Sequence, residues 1–382
     1  MGLKIASWMR DELARRKDLY RRLWAGQPLE RIPVEVRVSL PGRYNMREIT
    51  QDADKQLAEG IRHAMATWEY APSSDAIPGM RPDVGCSCLA TAFGAEEYWG
   101  DNPDQTPYIK GPIITDLEAQ VDDLRVPDPY TDGTLPEGLR RIRMFAEAAE
   151  GFIPISLLDA AGGLNVAADL MGMTQCLEAL YTAPQAMHRL LDKIQDLYAA
   201  TIRAGIKAAG GQENIATTDF PDMWFPEGYK GHVSDDVSAG FSPRMYAEFS
   251  APYHARIFQE FGCGGLHNCG PNPCHEAYVA HEYSPRNLDL ATSYSHADLP
   301  KFKRSLKKKA FIYMGCPGDE NPLDWYRRLI DLMAPDVIVV PTFGFRPEDN
   351  PEEWVQKLRP LAEEYARRMD WGWERPLHRA EA

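Results

Sequence analysis

The clearest pattern in the chain is a strict alternation in its last third. Short apolar runs at 264–268, 286–290, 310–314 and 336–341 alternate with amphipathic stretches at 273–282, 298–308, 322–333 and 351–369. Short runs rich in β-branched and aromatic residues suit strands; longer stretches with apolar positions three and four apart suit helices. Upstream, Met9 to Trp24 reads as a charged amphipathic helix, and Ile32-Pro33-Val34-Glu35-Val36-Arg37-Val38 alternates like a first strand. Helices are predicted over 50–70, 136–150, about 165–181 and 184–209, with strands at 152–158 and around 214–218. Ser242-Pro243 places an N-cap and a first-turn proline at the start of a helix reaching Phe261. Residues 71–135, rich in Pro, Gly and Asp, resist assignment. Loop regions of that length are often functional.

Repeated strand–helix units predict a parallel sheet with helices outside it. The predicted class is α/β, a (β/α)8 TIM barrel with an N-terminal helical extension. It is read as one domain over 1–382, with 1–30 as the helical segment. A doubly wound sheet is the alternative, but no Gly-rich phosphate fingerprint follows the first strand.

Composition narrows the function. A formal net charge of −14 argues against a broad nucleic-acid surface. No apolar run reaches the length of a membrane span, and the first ten residues do not read as a signal peptide. Seven cysteines in 382 residues do not form a disulfide framework. The expectation is a cytoplasmic protein whose thiols are packed, metal-bound or reactive.

In a barrel, chemistry sits where strands end. Asp159, His267, Cys269 and Cys316 all fall at predicted strand ends. His-x-Cys suits a soft divalent ion, because imidazole and thiolate are good zinc ligands. A packed thiol beside a hydrogen-bonded histidine fits the same local spacing. Gly264-Gly265 before the pair and Gly270-Pro271 after it place it at a tight backbone junction. Cys274, in the first turn of the helix predicted at 273–282, is either a thiol of lowered pKa or a packed one. Asp235-Asp236 either orients substrate, with a general base among the two, or caps its loop. Cys88, Cys176 and Cys263 read as structural, as does Cys86.

At this point the chain resembles the uroporphyrinogen decarboxylase superfamily, which includes zinc-dependent methyltransferases that use methylcorrinoid proteins. The resemblance rests on 29–34, on Asp235 through Pro243 continuing to Pro252-Tyr253, and on His-x-Cys-Gly at 267–270. It implies a (β/α)8 barrel. The methyltransferase branch implies zinc on His267 and Cys269. That branch's third ligand, a late cysteine, is absent here, and Cys316 is the best substitute. The decarboxylase branch implies substrate contacts from Arg37, Arg43 and Tyr44, with Asp75 as the catalytic aspartate that contacts the pyrrole nitrogens. This chain departs from that branch too: Ser39 stands where an arginine is expected, and Thr342-Phe343-Gly344-Phe345 replaces a Gly-His-Gly element.

Three functions follow. The first is zinc-assisted methyl transfer between a corrinoid protein and a thiol. Asp159 or Asp235 orients the small substrate there, and a partner supplies the corrinoid. The second is decarboxylation of a tetrapyrrole or other polycarboxylate, and the third is corrinoid or tetrapyrrole binding without turnover. A homodimer is the expected assembly by resemblance.

Overall fold

A computed structural model describes residues 3–220, 223–374, 376 and 378–380. The regular strands are β1 (Glu35–Val38), a small hairpin of β2 (Glu97–Tyr98) and β3 (Tyr108–Ile109), β4 (His232–Ser234), β5 (Gly265–Asn268), β6 (Asn287–Leu290), β7 (Phe311–Gly315) and β8 (Val339–Phe345). All but the hairpin form one parallel sheet in the order β1-β8-β7-β6-β5-β4.

Extended segments continue the sheet from β1 back to β4. Asp75 N–H donates to Val34 O at 3.1 Å, and Met80 N–H to Pro154 O at 3.0 Å. Ile155 bridges both Met80 and Ile215, and Thr218 N–H donates to Lys230 O at 3.1 Å. The sheet therefore closes into the expected barrel. The segments expected as strands at 152–158 and 214–218 are irregular staves. Pro154 has no N–H for the ladder. Thr217 and Thr218 turn their hydroxyls onto backbone carbonyls of Asp219 and His232.

Alternation along the strands sorts the side chains. Leu266, Leu288, Leu290, Ile312 and Val339 are buried beneath the outer helices. Parallel register puts Ser234, His267, Asp289 and Tyr313 on one inward row across β4 to β7. The row beneath it carries His232, Gly265, Asn287 and Phe311. The barrel interior is thus strongly polar.

The N-terminal helix (Ser7–Trp24) covers the opposite end of the barrel. Its buried positions Met9, Leu13, Arg16, Leu19, Tyr20 and Leu23 follow helical spacing. Tyr20 Oη donates to the buried Glu35 Oε1 at 2.6 Å, and Trp24 meets Phe311 edge-on at 5.3 Å.

Most helices lie where the pattern places them, including Pro184–Ala208, Pro322–Met333 and Pro351–Arg368. Two are divided: Gly163–Met171 from Met173–Thr182 at Gly172, and Pro243–Phe249 from Ala251–Phe261 at Ser250. The helix expected at 273–282 is absent apart from a short 3-10 turn, Ala277–Val279. Side-chain hydrogen bonds hold that stretch instead: Asn272 Nδ2 donates to Gly270 O at 3.0 Å and Ser295 Oγ at 2.9 Å. Cys274 therefore heads no helix. Its thiol is buried, donates to Phe241 O at 3.2 Å, and is pushed up to about 12 by burial. Among the described residues no helix is long and apolar enough to cross a membrane.

Gly264 marks the close approach that the Gly264-Gly265 pair foreshadowed. A Cβ there would lie 1.9 Å from the Gly231 carbonyl oxygen, a backbone atom that cannot swing aside. Gly264→Ala is expected to lower stability by about 1–3 kcal/mol, the usual range for overpacking. A denaturant midpoint equal to that of the parent would contradict this.

Candidate metal centre

His267 stands on β5, second from the strand's end, and its inward side chain is partly buried. Its Nδ1 lies 2.5 Å from Asp289 Oδ2, the register partner on β6. Phe220 meets the imidazole edge-on at 5.0 Å. Burial works against charge on His267, but the hydrogen bonds that the ring donates to Asp289 and Cys269 outweigh it and hold the pKa up at about 10. A carboxylate behind a histidine fixes the ring and its tautomer, as in many metal sites. With Nδ1 so engaged, Nε2 is the nitrogen available to a metal.

Asn268, between the pair, faces outward and is fully buried. Its Nδ2 donates to Asp235 O at 2.9 Å and Ser238 Oγ at 3.1 Å, and its Oδ1 accepts the Gly270 N–H at 2.7 Å. Asn268 thereby staples the turn that carries the exposed Cys269 over the barrel mouth.

Asp236 completes the group. Ligand atoms of Asp236, His267 and Cys269 all lie within 4.8 Å of one another. Asp236 Oδ1 accepts the Cys269 N–H at 2.8 Å, and Asn165 Nδ2 donates to its Oδ2 at 3.3 Å. Asn165 Oδ1 in turn accepts the N–H groups of Asp236 and Val237, both at 3.2 Å. The donor set is nitrogen, sulfur and oxygen, with a carboxylate behind the histidine. That set fits a divalent ion of the zinc type.

Asp235 and Asp236 have separate places. Asp235 is buried under the loop, where its Oδ1 accepts the Ser238 N–H at 3.1 Å. Burial pushes its carboxyl up to about 7. Its neighbour His254, with Nε2 at 3.4 Å, is neutral because burial drives its pKa down to about 3. An unfolded aspartate ionises near ~3.9. Between that pH and about 7 the folded carboxyl keeps a proton that the unfolded chain has lost, so this group makes stability fall as pH rises. One such proton gives a slope of about 1.4 kcal/mol per pH unit. Asp235→Asn is expected to flatten the stability curve across that window by one proton. Denaturation curves at pH 5 and pH 7 with the same difference in parent and variant would contradict it.

A cleft of about 530 Å³ opens beside the group, lined by Asp159, Asn165, Asp169, Phe220, Asp236 and His267 among others. Asp159 follows the 152–158 stave, 3.6 Å from Arg81. Burial raises its pKa against the pull of Arg81. Beneath it, Asp219 accepts the Ala160 N–H at 3.1 Å and the Tyr198 hydroxyl at 2.7 Å. Burial, then repulsion from Asp159, pushes Asp219 up to about 7.

The other residues singled out from sequence lie elsewhere. Cys316 directly follows β7 and lines a separate cleft of about 360 Å³ with Phe343, Phe345 and Trp354. Its thiol lies 3.6 Å from Pro317 O, outside the Asp236–His267–Cys269 group, and burial pushes it to about 11. Asp75 is buried in an ion pair with Arg31 at 2.5 Å and also accepts the Val34 N–H at 3.1 Å. Arg37 pairs with the buried Glu35 at 2.6 Å. Arg43 is exposed, with Glu59 at 3.8 Å. Tyr44 lines a third cleft, its ring 4.8 Å from the Lys55 ammonium.

Sequence reasoning missed Asp289, Asn165, Asp169 and Asp219. The signal for Asp289 was present in Asn287-Leu288-Asp289-Leu290: an acid sharing the face opposite two leucines, on a strand adjacent in sequence to the His267 strand. Asn165 and Asp169 share a helix face at a spacing of four, but no local pattern ties them to Asp236.

Comparison with known proteins agrees with this architecture. The family model for uroporphyrinogen decarboxylase (URO-D) matches residues 15–305. The uroporphyrinogen decarboxylase of Psychromonas ingrahamii is 27% identical over 176 residues, which are 44% of this chain and 42% of that protein. That of Colwellia psychrerythraea is 26% identical over 259 residues, 63% of this chain and 64% of that protein. The chain thus matches less than two thirds of the length of either relative. The solved structure of a methyltransferase from Methanosarcina mazei shares the fold, with a TM-score of 0.61 at 17% identity over 91% of this chain and 96% of that one. A family match across most of the barrel, on a chain whose strand ends carry the features described above, makes this chain a member of the uroporphyrinogen decarboxylase (URO-D) family.

Proposed function

We propose that the chain is a metal-assisted methyltransferase, moving a methyl group between a corrinoid protein and a thiol or similar acceptor. The observation that carries this reading is the Asp236–His267–Cys269 group with Asp289 behind the histidine. A zinc-type ion, when bound, lowers the pKa of an acceptor thiol and favours its thiolate. The chain's own residues prepare the site. Asp289 fixes the His267 ring, Asn165 fixes Asp236, and Asp236 holds the Cys269 amide. Phe220 shields one side of the imidazole from water, and Asp159 faces the substrate from the wall of the cleft. A cleft of about 530 Å³ takes a small acceptor and leaves the corrinoid to arrive on a partner protein.

The curated relatives carry the decarboxylase name, and a polycarboxylate substrate calls for cations facing it. The cleft beside His267 presents carboxylates instead, while Asp75 and Arg37 are engaged in ion pairs of their own. The test is to mix the protein with methylcob(III)alamin and a series of thiols and follow the corrinoid spectrum. Demethylation that stops on chelation and in Cys269→Ser is the expected result. Chelator-insensitive decarboxylation of a polycarboxylate, or binding of either class without turnover, would overturn the proposal.

A further inference from the structure

The charge in the cleft is unbalanced on one side. Asp159 and Asp169 line it together with Asp236 and His267, and no lysine or arginine is among its described lining residues. Arg81, close by, is shared between Asp83 at 3.4 Å and Asp159 at 3.6 Å. Asp169 makes no ion pair within 4 Å among the described residues. It projects from the Gly163–Met171 helix one turn beyond Asn165, on the face that meets Asp236. A zinc-type ion, Cys269 as thiolate and Asp236 would cancel one another in charge, and Arg81 alone is shared between Asp83 and Asp159, so the carboxylates at Asp159 and Asp169 leave the cleft net negative. Burial raises the pKa of both, against the pull of Arg81 on Asp159 and of the Ser87 hydroxyl on Asp169.

A second observation points to a ligand. Ser234 lines the same cleft, is 3% exposed, and its Oγ has no hydrogen-bond partner among the described residues. It is the register partner of His267, so its hydroxyl belongs to the inward row that carries the imidazole. A buried hydroxyl without a partner is costly unless a bound group satisfies it. Between these polar groups the wall is apolar, with Met173, Ala168 and Val237. That surface suits a short alkyl chain.

We propose that the cleft selects an acceptor bearing a positively charged amino group, held by Asp159 and Asp169 with Ser234 Oγ as a further acceptor. Joined to the methyl-transfer reading, on which the thiol part rests, the substrate class is a short aminoalkyl thiol. Anionic thiols carrying a carboxylate or sulfonate are disfavoured by the same charges.

The test is calorimetric titration of the full chain, as purified and after chelation, with two sets of probes. The thiols 2-aminoethanethiol, 2-mercaptoethanol and mercaptoacetate vary charge at similar size. Propylammonium and propionate vary charge without a thiol. The expected result is a preference of about tenfold or more for the cationic member of each set, equivalent to ~1.4 kcal/mol. Asp169→Asn is expected to lower that preference severalfold, with Asp159→Asn as an independent second variant. Equal or tighter binding of mercaptoacetate and propionate overturns the proposal, as does an unchanged preference in both variants. A propylammonium preference that depends on Asp169, in protein that holds no metal as purified and takes up none when zinc is supplied, would support the charge selection while defeating the methyl-transfer reading.

Discussion

Cys269→Ser is expected to weaken metal binding at the proposed centre by about two to three orders of magnitude while leaving the protein folded. Cys269 is exposed at the barrel mouth and its side chain fills no core space, so its loss should not disturb packing. The effect on the metal is large because the thiolate is the one soft donor in the group, and a hydroxyl stays protonated near neutral pH. Structural zinc sites bind with roughly 10–16 kcal/mol shared among four ligands, which puts one ligand at about 2.5–4 kcal/mol. A loss of that size lowers affinity by roughly a hundredfold to a thousandfold. Competition with a chromogenic chelator reads the affinity, and thermal unfolding of the chelated proteins checks the fold. Equal metal affinity in parent and variant would remove Cys269 from the site.

Asp289→Asn is expected to weaken metal binding by about 10–100-fold, the usual consequence of losing the carboxylate behind a ligating histidine. The stoichiometry at saturating metal should not change, because Asp289 is outside the group whose ligand atoms converge. The asparagine keeps the size of the side chain but carries no charge to hold the Nδ1 proton. His267 is then free to turn, and its Nε2 loses a fixed direction. A merely structural role for Asp289 would show as lowered stability with metal affinity intact. The predicted pattern is the reverse, and Asp289→Glu should recover part of the affinity.

The strong elements of the fold were legible because their pattern is local. Apolar alternation at 286–290 and 310–314 marks β6 and β7 within one residue at each end, and Asn321-Pro322 opens a helix where the periodicity begins. The staves at 152–158 and 214–218 were legible as extended chain but not as irregular. In the first, Pro154 lacks the N–H that the ladder needs; in the second, Thr217 and Thr218 turn their hydroxyls onto the carbonyls of Asp219 and His232. The 273–282 stretch also misled. It has helical spacing, yet Asn272 and Cys274 find partners on other loops that outcompete the helix ladder.

The candidate centre was half legible. His267 and Cys269 were visible from chemistry and spacing. Their partners depend on register, which a single sequence does not display. His267 pairs across the sheet with Ser234 on one side and Asp289 on the other, and the turn after β4 carries Asp236 to the Cys269 amide. Asp235 and Asp236 look equivalent in sequence. The backbone sends one under the loop and the other into the cleft. Cys316 was attractive as a strand-end cysteine, but it follows β7, with β6 between that strand and the His267 strand, and faces another cleft.

The central claim is that Asp236, His267 and Cys269 hold a metal ion without Cys316. Elemental analysis of purified parent, Cys316→Ser and Cys269→Ser proteins tests it most directly. The account predicts about one zinc-type ion per chain in the parent and in Cys316→Ser, and little or none in Cys269→Ser. A parent that holds no metal, or metal that disappears with Cys316, would contradict it.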